Sequence, residues 1–421
     1  MFGLIDANNF YVSCERVFNP ALDKRPVVVL SNNDGCIVSR SNEARQLGIK
    51  MGAPYFEAKP LLDQHQVAVF SSNYALYGDM SQRLMNLLST FSDEVEIYSV
   101  DECFVGLEGF EQWNLLDYGH QIRETVLLHL GLPTCVGIAP TKTLAKVANL
   151  LAKRHSQKDA STQGVLLLDT ELKWKEALAQ LRVEDIWGVG RQYAKKLHSY
   201  HITNAADLAR VRPAWAKKHL GGMIGERLIA ELNGVSCLEM ELIPATKKSI
   251  VVSRSFGRVV TTESELSEAV SVYASKASEK LRTEKTIASV VTVFIQSSRF
   301  KETPFYASIS ITLPSGSSDS RVLVHYALEG LKRIYKEGIE YKKAGILLDG
   351  ICPAHNQQTN LFDERPSNPA LMAVVDKINA RWGAGTVFLA SNGTAQSWQM
   401  LSTMRSNRFT TKWKEIPQVK G

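Results

Sequence analysis

Ile97-Tyr98-Ser99-Val100-Asp101-Glu102-Cys103-Phe104, read together with Leu4-Ile5-Asp6-Ala7-Asn8-Asn9-Phe10-Tyr11, decides the fold of this 421-residue chain. Each stretch sets carboxylates inside an apolar, β-prone run, where an unpaired buried charge is costly. Neighbours on a strand point to opposite faces, so of adjacent Asp101 and Glu102 at least one is expected to face inward. A hard cation resolves the cost, and Mg²⁺ typically takes one or two carboxylates together with substrate phosphates. The pair of strings therefore reads as a two-part metal site for phosphoryl transfer. Taken singly, each reads more readily as a helix cap or a solvated acidic surface, so the weight comes from what surrounds them.

Outward from these strings the first 170 residues alternate between strands and helices. Residues 1–6, 26–31, 35–39, 95–100, 134–138 and 164–168 read as strands, and 100–107 as the second arm of an acid-bearing hairpin. Helices are expected at 9–18, 41–47 (stopped by Gly48), 76–91, 117–130 and 141–154. This is one α/β domain with an inserted piece.

From Val183 the pattern changes to short helices. Ile186-Trp187-Gly188-Val189-Gly190 separates two of them. A Gly-x-Gly turn exposes backbone N–H groups at a helix N-terminus, where a phosphate of DNA can bind, and Lys195 and Lys196 follow. A plain αα-corner is the alternative. Residues 236–248 form a connector with Pro244 and the Lys247-Lys248 pair. Beyond it, strands at 251–255, 288–297, 306–313 and 344–348 with helices at 263–284 and 321–336 give a βαββαβ-like α+β domain. Its Arg254, Arg258, Arg299 and Lys301 lie on or beside strands, as a groove along a nucleic-acid backbone requires. The remaining tail begins polar and holds one helix at 368–382.

Composition agrees with this division. Hydrophobic residues make up 44% and charged residues 22%, as in globular proteins, and the length calls for two to four domains. The net charge of +6 is unevenly spread. Lys142, Lys146, Lys153, Arg154 and Lys158 face no acid within 142–158, and Arg405, Arg408, Lys412, Lys414 and Lys420 face only Glu415. Such clusters suit a polyanionic partner. The six cysteines are scattered without a CxxC pair, which fits neither a zinc site nor a disulfide scaffold. No signal segment and no apolar run near the ~20 residues of a membrane span are present, and a cytoplasmic protein is expected.

At this point five motifs, in order, resemble the Y-family translesion DNA polymerases. They are Asp6 with Phe10-Tyr11, Asn42-Glu43-Ala44-Arg45, Ser99-Val100-Asp101-Glu102, Gly137-Ile138-Ala139-Pro140-Thr141-Lys142-Thr143-Leu144-Ala145-Lys146, and Trp187-Gly188-Val189-Gly190. The string Ser31-Asn32-Asn33-Asp34-Gly35 and the extra C-terminal segment resemble the bacterial SOS-mutagenesis branch of that family. The resemblance implies a right-hand polymerase of α/β and α+β domains. The palm would be 1–10 and 75–165, the small fingers 11–74, and the helical thumb 166–235. A linker at 236–247, an α+β little finger at 248–350 and a C-terminal tail at 351–421 would complete it.

It also implies roles. Asp6, Asp101 and Glu102, with the Ala7 carbonyl, would hold two Mg²⁺ ions and carry the catalysis. Arg45 would grip the triphosphate and Lys146 neutralise its outer phosphates. Tyr11, beside Phe10, would be the steric gate against a ribose 2′-OH. Asn42 stands where many members have Tyr, and is a weaker nucleotide contact. Gly188, Gly190, Lys195, Lys196, Arg254 and Arg299 would touch DNA. Gln358-x-x-Leu361-Phe362 resembles the peptide that docks bacterial polymerases on the sliding clamp. A cleaved UmuD-like dimer and a RecA-like filament are implied as further partners. The implied activity is error-prone, template-directed DNA synthesis past lesions during the SOS response. A palm-domain nucleotidyl cyclase and a non-catalytic DNA-binding factor are the competing readings.

Overall fold

β1 (Phe2–Ala7) is buried along nearly its whole length, and that burial fixes it as the centre of a sheet rather than an edge. In the computed structural model, which describes residues 1–110, 112–158, 164–243, 245–356 and 367–417, the chain forms two compact units. The first comprises Met1–Ser31, Cys36–Pro244 and Met404–Gly421, and the second Asn32–Gly35 and Ala245–Thr403. The division falls inside the connector expected at 236–247.

In the first unit, β1 pairs antiparallel with both Glu102–Gly106 and Thr134–Ala139. Val95–Ile97 and Val165–Leu167 complete a five-stranded sheet. The strand Val165–Leu167 lies within the strand expected at 164–168 and crosses the boundary expected between palm and thumb at 165/166. Apolar residues alternate across the sheet. Ile5, Cys103 and Val136 join the core under helix Leu115–Leu130, while Leu4, Phe104 and Ala139 join the core under α6 (Lys142–Lys158). The even-numbered face of β1, which includes Asp6, is therefore the α6 face. α6 lies almost in backbone contact with its strand, because a Cβ on Gly137 would stand 2.2 Å from the Asn149 nitrogen. Asn149 locks this packing by donating to the carbonyls of Leu4 and Cys135 (3.2 and 2.8 Å).

A second, three-stranded sheet of Val27–Leu30, Ile37–Arg40 and Ala68–Ser71 carries helices Asn42–Gln46 and Tyr55–Gln64. The latter helix and Ala68–Ser71 were not legible in the sequence, since Pro60 sits inside the helix and argues against one. Ser41 caps Asn42–Gln46 by accepting from the Ala44 N–H (3.1 Å). The short helices after residue 170 pack into the same core as α6. There the first arm of the expected helical pair is only a 3₁₀ turn, Val183–Asp185, followed by Gly188 at φ +89° and helix Arg191–Ser199.

The second unit is an antiparallel sheet in the order Tyr306–Ser317, Thr286–Ser297, Tyr341–Asp349, Ile250–Val260, with helices Glu263–Thr283 and Ser320–Ile334 packed against it. Helix Pro369–Trp382 joins it through a two-pronged ion pair between Arg282 and Asp376 (2.7 Å each). Trp398 is buried in its core and donates to Glu268 (3.2 Å). No helix among the described residues is long and apolar enough to cross a membrane.

Candidate active site

Register brings the acids together. Asp6, at the end of β1, lies directly opposite Glu102, the first residue of its neighbouring strand. Asp101 differs from expectation: it precedes the strand, in the bend of the hairpin, and so escapes the alternation that would have sent it to the far face. Ser99 builds that bend. Its hydroxyl donates to Asp101 Oδ1 (2.6 Å) and accepts from the Glu102 N–H (3.1 Å). The Asp101 carbonyl in turn accepts from the Ala7 N–H (2.9 Å), tying the two acidic strings to each other.

Two lysines from α6 reach the acids. Lys153 pairs with Asp6, and Lys146 donates to Glu102 (3.0 Å). The Lys146 ammonium also lies over the rings of Tyr98 (4.2 Å) and Trp187 (5.4 Å), a desolvated cation–π setting. Burial raises the Asp6 carboxyl to about 7, against the pull of Lys153. Glu102 goes the other way. Burial acts to raise it too, but the hydrogen bond from Asp6 and the charges of Lys146 and Lys153 hold it below its usual value. Of the two carboxyls in the metal-free pair, Asp6 is the more readily protonated and Glu102 the more acidic.

A stability prediction follows from Asp6. Its folded value of about 7 exceeds the unfolded value of 3.8, so the native state binds more protons between them, and stability is lost as pH rises through that window. Asp6→Asn should therefore stabilise the metal-free protein at pH 8 by on the order of 2 kcal/mol, with Lys153 still reaching water. The gain should shrink toward pH 4 in thermal melts. An equal gain at both pH values would contradict the burial of an ionised Asp6.

Asp6 and Asp101, but not Glu102, open onto a cavity of about 320 Å³ that Ala7, Phe10, Tyr11 and Lys153 also line. A second cavity of the same size is lined by Asn8, Asn9, Asn42, Arg45, Lys153 and Arg154. Asn9 and Lys153 border both. Asn9 holds a left-handed φ of 48° at the start of helix Phe10–Phe18 and donates to Asn42 (3.4 Å). Tyr11 stacks on Tyr77 at 4.4 Å between centroids and meets Tyr74 edge-on.

Lys146 is thus not where it was expected. Its ammonium is spent on Glu102 and the aromatic faces, and it lines neither cavity, whereas Lys153 lines both. The sequence held the signal for Lys153: seven residues, two helical turns, separate it from Lys146, with Asn149 between them on the same stripe. Among the described residues no ready-made cluster of three or more His, Cys, Asp or Glu is closed around a metal position. The donor set nevertheless fits a divalent cation. Asp6, Asp101 and Glu102 are hard oxygen donors, and two ammonium groups already supply positive charge to two of them.

Of the residues expected at DNA, Lys195, Arg254 and Arg299 are exposed. Lys196 instead donates to the His219 carbonyl (2.8 Å). Gly190 precedes helix Arg191–Ser199 as its N-cap. Gln358, Leu361 and Phe362 lie outside the described residues.

Comparison with known proteins gives a consistent picture. The impB/mucB/samB family model matches residues 5–149, and the C-terminal domain of that family matches 247–361. A domain of unknown function matches 369–419. Protein UmuC of Salmonella typhimurium (strain LT2) is 43% identical over the full length of both chains. Protein MucB of Escherichia coli is 41% identical over 99% of each. DNA polymerase IV of Saccharolobus solfataricus is 30% identical over 61% of this chain and 70% of its own. Among solved structures, a Y-family DNA polymerase chimera of Dbh and Dpo4 superposes with a TM-score of 0.65 at 21% identity, covering 84% of this chain and all of that one.

Proposed function

Because the chain belongs to the impB/mucB/samB family of UmuC-like Y-family DNA polymerases, we propose that it carries out error-prone, template-directed DNA synthesis past lesions at the Asp6–Asp101–Glu102 site. The enzyme is a DNA polymerase, uses a divalent metal, and takes DNA and deoxynucleoside triphosphates as substrates. The observation that carries the assignment is the meeting of three acids from two chain segments, two of which, Asp6 and Asp101, line a cavity with Lys153 and the rings of Phe10 and Tyr11, while Arg45 borders the second cavity. A cyclase would need no template-holding domains, and a non-catalytic shell would have no use for the intact acid set.

In this reading the five-stranded sheet is the palm, the three-stranded sheet the fingers, the short helices after 170 the thumb, and the second unit the little finger. Asp6, Asp101, Glu102 and the Ala7 carbonyl would hold two Mg²⁺ ions, which when bound stabilise the attacking and leaving oxygens. The protein's own residues do the rest. Lys153 and Arg45 border the space for the triphosphate, where long cations offset charge that grows on the leaving group. Lys146 keeps Glu102 ionised and oriented. Asn9, fixed by Asn42, shapes the floor between the cavities. Tyr11, backed by Tyr77, closes the space beside the sugar and excludes a 2′-OH.

The test is primer extension on a template carrying an abasic site, with wild-type protein against Asp101→Asn. Extension by the wild type and none by the variant supports the assignment, and equal extension by both refutes it. The sliding clamp, a cleaved UmuD-like dimer and a RecA-like filament are the proposed partners. For the clamp, replacing Leu361 and Phe362 together with Ala should abolish stimulation of synthesis by added clamp while basal extension persists. Undiminished stimulation would remove that docking peptide from the account.

A further inference from the structure

The segment after Met404 belongs to the same unit as the acids, and it is built into the support of Tyr11. Met404 exchanges two hydrogen bonds with Ser71: its carbonyl accepts from the Ser71 N–H (3.1 Å), and its N–H donates to the Ser71 hydroxyl (3.0 Å). Asn73 caps helix Tyr74–Leu88 with its side-chain oxygen. Its amide nitrogen turns to the tail, donating to the Ser406 carbonyl (3.1 Å), the Ser406 hydroxyl (3.0 Å) and the Asn407 carbonyl (3.1 Å). Phe409 stacks on Phe18 with centroids 4.9 Å apart.

The Ser406 hydroxyl then donates to Glu15 Oε1 (2.9 Å). Glu15 is only 2% exposed, and the same oxygen accepts from the Tyr77 hydroxyl (2.7 Å). Tyr77 lies nearly parallel on Tyr11, with 14° between the ring planes. Glu15, Phe18 and Tyr11 all sit on helix Phe10–Phe18. A buried carboxyl is costly to leave short of donors, so each hydroxyl on Glu15 restrains the other through it.

We propose that the C-terminal segment Met404–Phe409 is a positioning element for sugar discrimination, in which Ser406 fixes Glu15, Glu15 fixes the Tyr77 hydroxyl, and Tyr77 sets the plane of Tyr11. This rests on the reading of Tyr11 as the steric gate. It gives part of the region matched by a domain of unknown function a task within the catalytic unit. A docked tail that merely glued the surface would have no need to place the Ser406 hydroxyl on the carboxyl that anchors the gate's backing ring. Ser406 touches no substrate and acts through three intervening side chains.

The experiment compares kcat/KM for a deoxynucleotide and its ribonucleotide counterpart in full-length wild type, Ser406→Ala, Ser406→Thr, Tyr77→Phe and Tyr11→Ala. Loss of the Ser406 hydroxyl should lower discrimination against the ribonucleotide by about threefold to tenfold, a fraction of what a hydrogen bond to a charged group is worth. The change should appear as a lower ribonucleotide KM, and Ser406→Thr should restore discrimination. Tyr77→Phe should mimic Ser406→Ala, and the double variant should add little. If Tyr11→Ala collapses discrimination and Ser406→Ala leaves it at the wild-type value, the proposed relay is wrong and the gate stands. If Ser406→Ala depresses both substrates equally, the tail is only structural and the proposal fails. If Tyr11→Ala itself discriminates normally, the gate reading falls and the relay with it.

Discussion

Asp101→Asn should reduce primer extension by at least about a thousandfold, the scale expected when a preorganised charge at a phosphoryl-transfer site is lost, while primer-template affinity stays within about twofold. The side chain is well suited to this separation of effects. Asp101 stands in a bend, not within the sheet, and its oxygen is held by Ser99 rather than by a core contact. The amide of Asn accepts from Ser99 equally well, so the fold has no reason to change. What disappears is one negative charge facing the cavity that Asp6 and Lys153 also line. Single-turnover extension together with equilibrium binding to labelled primer-template measures both quantities. Weak binding and weak extension in equal measure would move Asp101 from the chemistry to the scaffold.

Lys153→Ala is the second large effect. Lys153, unlike Lys142 and Lys146, borders both cavities and touches Asp6. Its removal should lower kcat/KM for the incoming nucleotide by roughly 10- to 100-fold, the value of a charge-assisted contact to phosphate, chiefly through a raised KM. Lys146→Ala should behave differently. That lysine is held by Glu102 and by the faces of Tyr98 and Trp187. Its loss therefore frees Glu102 and should act on kcat more than on nucleotide KM. Steady-state kinetics over a nucleotide series separates the two. The opposite pattern, with Lys146 governing KM and Lys153 governing kcat, would return the phosphate role to Lys146.

The contrast between these lysines shows what the sequence could and could not tell. The two acidic strings were legible because burying a carboxylate is costly enough to announce itself, and strand register then made Asp6 and Glu102 partners. The place of Asp101 was harder, because a side-chain hydroxyl from Ser99 ends the strand rule one residue early. Lys146 and Lys153 share one stripe of a helix, and only the close seating of that helix on Gly137 decides which of them reaches the cavities. Helix Tyr55–Gln64 hid behind Pro60, whose local preference was overridden by the packing of Ala58, Leu61 and Leu62 into the small core of the three-stranded sheet. The βαββαβ order of the second unit was open to reading because its strands and helices are long and regularly patterned. The docking of Ser406 on Glu15 was not, since nearly 400 residues separate them and neither has a local signature.

The most direct test of the central claim is single-nucleotide primer extension with Mg²⁺ across an abasic template position, comparing the full-length wild type with Asp6→Asn. The account predicts that the wild type adds nucleotides to the primer opposite and beyond the lesion, following the template downstream, and that Asp6→Asn binds the same primer-template without extending it. Extension by Asp6→Asn at the wild-type rate, or a wild type that converts free nucleotide to a cyclic product and leaves the primer untouched, would contradict it.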